Sequence, residues 1–74
     1  MGHLKSYVIC NEQEYYVSTV YTFDNGLETM IFESEDKFVT NWFEIYVRHY
    51  DTAKEAVEGH EEIVKNIEKY VGGN

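Results

Sequence analysis

Seventy-four residues with 43% hydrophobic and 16% aromatic content are too apolar for a disordered chain and make one small domain, residues 1–74, with a limited core. A net charge of −8 argues against direct nucleic-acid binding, because phosphates must be met by Lys and Arg, and against attachment to anionic lipid. Cys10 is the only cysteine, so no internal disulfide can form and a reducing cytoplasm fits best.

The opening Met1-Gly2-His3-Leu4-Lys5-Ser6 matches an N-myristoylation pattern only formally, since the match needs little more than a glycine and a serine. No run reaches the length of a transmembrane helix, no signal peptide pattern opens the chain, and no membrane partner is expected. Residues 6–10, SYVIC, read as a short edge strand before the polar NEQE. Residues 14–23, EYYVSTVYTF, are rich in the Tyr, Val and Thr that suit a pleated strand. Asn25-Gly26 tolerates the positive φ of a tight turn, and residues 27–34, LETMIFES, return as the second arm of a hairpin over 14–34.

Residues 35–41 read as a polar connection, followed by a third strand over 42–50, WFEIYVRHY. Its alternation puts Phe43, Ile45, Val47 and His49 on one face, expected to be the core. Trp42, Glu44, Tyr46, Arg48 and Tyr50 fall on the other, expected to meet water or a partner. Thr52 with Glu55 three residues on makes a capping box. Ala53, Ala56, Val57, His60, Ile63, Val64, Ile67 and Val71 then recur at helical spacing, giving a helix over 53–71 stopped by Gly72-Gly73. The expected fold is α+β: an antiparallel sheet of three strands, or four with the edge strand, and one C-terminal helix packed on one face.

His60 falls in the middle of the apolar stripe of that helix. A zinc helix of the H-E-x-x-H type needs a ligand four residues on, and Val64 occupies that place. His60 is therefore expected to be buried, neutral and bonded to a tyrosine or the backbone. His49, on the expected core face, would approach it. With Cys10 the pair makes a conceivable metal set, but its spacing is not diagnostic and no cofactor is expected. Gly59, beside the stripe, suggests close contact with a backbone or a bulky ring. No nucleophile motif or phosphate-binding glycine loop occurs. An enzyme using His49, His60 and Cys10 is the alternative to a binding protein.

Charge and aromatics favour binding. Residues 1–36 carry one base, Lys5, against seven acids, a balance of −6. Such a surface would attract a basic protein, while Tyr and Trp supply contact area. The expected partner-binding residues are Tyr16, Glu33, Glu35, Asp36, Trp42, Tyr46 and Tyr50, with Asn25, Gly26, Thr52, Glu55 and His60 as structural residues. A marginal core and a bare aromatic sheet face also suggest a homodimer.

The series Glu28-Thr29-Met30-Ile31-Phe32, Trp42-Phe43-Glu44, Arg48-His49-Tyr50-Asp51-Thr52, Glu55-Ala56 and Gly59-His60 resembles a group of small proteins of tailed bacteriophages that infect Gram-positive bacteria. The likeness spans roughly residues 15–65, and Y-x-T-x-x-E-A-x-x-G-H is its most specific part. Phe43 departs from the group's pattern, in which a small residue follows the tryptophan. The resemblance implies a phage setting and a bacterial cytoplasm. It passes no catalytic role to any residue.

Overall fold

The computed structural model describes residues 2–72. Met1 of the N-terminal motif and Gly73 of the expected helix stop lie outside them. Strands β1 (Leu4–Cys10), β2 (Gln13–Thr22), β3 (Gly26–Glu35) and β4 (Phe38–Tyr50) form one antiparallel sheet in the order β1-β2-β3-β4. Helix α1 (Ala53–Lys65) packs on one face and is followed by the short α2 (Ile67–Val71). The architecture is α+β, with the edge strand extended to seven residues.

Two of the three turns are made without glycine. Asn11 and Glu12 (φ 52° and 70°) join β1 to β2, and Asp36 and Lys37 (φ 50° and 67°) join β3 to β4. Consecutive positive φ gives a turn whose twist matches that of the flanking strands, and Asn or Asp at its first position lowers the steric cost. The Glu14 carboxylate accepts from both Ser34 Oγ and Lys37 N at 2.7 Å, so a β2 side chain clamps the β3–β4 turn. The polar connection expected over 35–41 is thus a two-residue turn, and β4 begins at Phe38. At the other hairpin Thr22 pairs with Gly26, leaving a three-residue loop. Gly26 alone has positive φ (73°), and Asn25 N donates to Thr22 Oγ1.

Residues directly opposite each other share a face, so register assigns every strand residue to a side. Val17 pairs with Ile31, and Ile31 with Tyr46. Val17, Ile31, Ile63 and Ile67 form the buried cluster under the helices, edged by Val8, Cys10, Tyr15, Tyr46, Val64, Tyr70 and Val71. Tyr46, Arg48 and Tyr50 therefore face the helix, while Val47 and His49 face away. This reverses the phase expected for the third strand. A bulge then parts Trp42 from Tyr46: Trp42–Ile45 lie between Asn41 and Tyr46 opposite Phe32 alone, and Thr40 faces no residue. Asn41 Oδ1 accepts from Phe43 N at 3.0 Å and holds the detour. The tyrosines also find polar partners on the helix side, Tyr50 with Thr29 and Tyr46 with Arg48.

The helix starts as its sequence dictates. Thr52 Oγ1 accepts from Glu55 N, and Glu55 Oε1 accepts from Thr52 N. Ala56, Gly59, His60, Ile63 and Ile67 are buried, whereas Ala53 and Val57 are exposed, so the buried stripe is narrower than the apolar one. The expected continuous helix breaks at Asn66 (φ −120°, ψ 40°), whose amide donates to the Glu62 carbonyl and competes with helical continuation.

Candidate partner-binding surfaces

The face away from the helix carries a row of rings across all four strands. Tyr7 stacks on Tyr16 (centroids 5.0 Å apart), Tyr16 on Phe32 (6.3 Å), and Trp42 meets Phe32 edge-on (5.1 Å). Tyr7–Tyr16 and Tyr16–Phe32 are directly opposed pairs, so register builds the row. The inner members, Tyr16 and Phe32, are only 8% and 5% exposed because neighbouring rings cover them. The flanks are open: Ile9 is 70% exposed and Trp42 68%, with Tyr7, Ile45 and Val47 also on the surface. Phe43, in the bulge, is exposed as well.

This face is poor in free charge. Of the acids, only Glu14 and Glu28 alternate onto it, with Glu44 in the bulge beside it. Glu14 is held by Ser34 and Lys37, and Glu28 pairs with His49 Nε2 at 3.0 Å. His3 closes one corner through Ser18 Oγ at 2.7 Å, and burial with Lys5 nearby lowers its pKa.

The opposite side is acidic. An open groove between β4 and α1 is lined by Arg48, His49, Tyr50, Asp51, Glu55, Glu58, Gly59 and Glu62. Its one permanent cation, Arg48, is already engaged by the hydroxyls of Tyr46 and Tyr70 and lies 3.8 Å from Glu62. Tyr70 donates to Glu62; this bond, reinforced by Lys69 and Arg48, holds the Glu62 carboxyl below the usual range. The groove thus presents carboxylates to an incoming group.

Beneath the helix runs a chain of hydroxyls. Ser6 Oγ meets His60 Nε2 at 2.8 Å, Thr19 Oγ1 meets His60 Nδ1 at 2.6 Å, and Thr29 links Thr19 to the Tyr50 hydroxyl. His60 is 6% exposed, and burial lowers its pKa, so it is neutral at pH 7. Its partners are serine and threonine hydroxyls, not the expected tyrosine or backbone group. A Cβ on Gly59 would collide with the Tyr50 ring, so glycine permits this close approach and a larger residue would have to displace the tyrosine.

His49 does not join His60. It lies across the sheet on Glu28, which removes the proposed histidine pair. Among the described residues no cluster of three His, Cys, Asp or Glu side chains could hold a metal. The expected partner-binding set divides likewise. Tyr16 and Trp42 belong to the aromatic face, and Tyr46 and Tyr50 to the helix side. Glu33 also falls on the helix side, opposite Tyr15, while Glu35 and Asp36 sit at the β3–β4 turn, the far end from the groove. Reading by sequence missed Tyr7, Ile9 and Phe32. The alternation of β1 contained the signal for the first two, but a short edge strand gave no reason to choose a face.

Comparison with family models, curated proteins and solved structures finds no match.

Proposed function

We propose that this chain is a non-enzymatic phage protein that acts in the bacterial cytoplasm by binding a basic protein of the host or the phage. The observation that carries the reading is the segregation of charge. Nearly all the acids lie on the helix side and at the turns, and several rim one groove while its arginine is internally engaged. Long-range attraction would bring a basic surface to that side, and Tyr50 would add contact area. The phage setting comes from the sequence resemblance. Among the described residues no helix is long and apolar enough to cross a membrane.

The test is affinity capture from host lysate at about 50 mM and about 500 mM salt, a range over which electrostatic screening shortens several-fold. One basic protein is expected, released by salt and lost with Asp51→Lys/Glu58→Lys. Reversal at Glu35 and Asp36 should matter less. Equal loss from both pairs would move the site away from the groove.

A second reading has one specific observation behind it. Ser6–His60–Thr19 places a hydroxyl on a neutral imidazole whose other nitrogen is held, the geometry of an activated nucleophile. The groove lies elsewhere, and Thr19 supplies no carboxylate to stabilise an imidazolium. Labelling of Ser6 by a serine-reactive phosphonate, abolished in His60→Gln, would favour a hydrolase.

A further inference from the structure

We propose that the aromatic face of the sheet is the contact surface of a symmetric dimer, covered by the same face of a second copy. The buried apolar cluster under the helices has four residues, fewer than the apolar side chains on the uncovered face. Exposed rings and aliphatics at Tyr7, Ile9, Trp42, Ile45 and Val47 form one continuous band over the buried centre Tyr16–Phe32.

Charge selects the occupant. Two copies each carrying −8 repel wherever their acids meet, so they can associate only through a surface nearly free of unpaired carboxylates. The aromatic face comes nearest to that surface: Glu14 and Glu28 are internally bonded, Lys5 supplies a base, and Glu44 stands beside it in the bulge. A basic partner has no reason to choose it, because the attracting acids are on the other side. An identical, nearly neutral apolar face is the complement that costs least to desolvate.

The area is sufficient. Four strands about 4.8 Å apart and about eight residues long present roughly 500 Å² per copy. Pairing two such faces removes on the order of 1,000 Å² from water, the lower limit for a specific interface. A two-fold axis through the face makes it self-complementary, as closed dimers require. Dimerisation would leave both helices and both acidic grooves outward, so the inference stands apart from the partner reading.

Sedimentation equilibrium and fluorescence from about 1 to about 500 μM test it, with dissociation expected at micromolar concentration. The mass should rise from 8.8 kDa to twice that value. Trp42, the only tryptophan, should shift its emission to the blue as its exposed ring is covered. Added salt should strengthen the dimer by screening the repulsion, whereas it should weaken binding of a basic protein. Ile9→Glu should raise the dissociation constant at least tenfold while the monomer stays folded by circular dichroism. Phe23→Ser, at the exposed β2–β3 loop, should leave it unchanged. A monomer throughout the range, or a dimer that keeps its affinity in both Ile9→Glu and Val47→Glu, would overturn the proposal.

Discussion

The two faces of one sheet solve burial differently. Under the helix the centre of the sheet is β-branched, with Val17, Thr19, Thr29 and Ile31 fully buried and Tyr15, Tyr46 and Tyr50 around them. On the other side the same strands carry Tyr7, Tyr16, Phe32 and Trp42, and rings bury one another across the strands. The covered side admits the helix closely enough for Gly59 to rest on the Tyr50 ring, and its tyrosines surround the β-branched centre instead of forming a stacked row across it. Hydrophobicity alone does not separate the two sides, because each carries apolar residues and tyrosines.

This contrast can be broken by mutation. Ile31→Ala should cost about 2–5 kcal/mol by leaving a cavity under the helix. Trp42→Ser, at the same dilute concentration, should cost less than about 1 kcal/mol, because its exposed ring contributes little to the isolated chain. Urea unfolding measures both, and similar costs would show that the two faces are not distinct in this way. Gly59→Ala should lose about 1–3 kcal/mol as Tyr50 is displaced. In a Tyr50→Leu background that loss should shrink, a coupling that a double-mutant cycle would quantify.

Acidity sharpens the contrast further. Burial holds the His60 pKa below 6.5, so as pH falls through 6.5 the unfolded chain takes up a proton that the folded chain refuses. Stability from this site is complete above that pH and declines below it, until the folded-state pKa is reached. The slope is at most about 1.4 kcal/mol per pH unit. His60→Gln should flatten the decline below about pH 6.5, leaving the part due to His3, which is shifted the same way. Thr52→Ala should cost about 1 kcal/mol from losing the cap, read as a lower unfolding midpoint.

The helix and its cap were legible because Thr52, Glu55 and the spacing of Ala56, His60, Ile63 and Ile67 are local signals. The hairpin was legible as well, although its loop is one residue longer than Asn25-Gly26 suggests. The phase of β4 was not. Assigning Ile45 and Val47 to the core assumes that only one face of the sheet is apolar, and here both are. The turn at Asp36-Lys37 was hidden for a different reason: it adopts positive φ without glycine and depends on Glu14, twenty-three residues from Lys37. The candidate surfaces were legible by residue type but not by place. Whether Tyr46 and Trp42 share a side depends on a bulge that only the pairing with β3 reveals.

That bulge bears on how the chain avoids becoming a fibre. An outer strand with regular, unpaired N–H and C=O groups is a template to which further strands can add without end, and aromatic-rich β-segments are prone to this. In β4 the run from Asn41 to Tyr46 departs from its neighbour, so the free edge is bent and its hydrogen-bonding groups fall out of step with any straight incoming strand. Along β4, strand addition is disfavoured where the sequence is stickiest, at Trp42 and Phe43. Contact through the flat of the sheet has no such open-ended repeat, because two faces consume each other and the series stops.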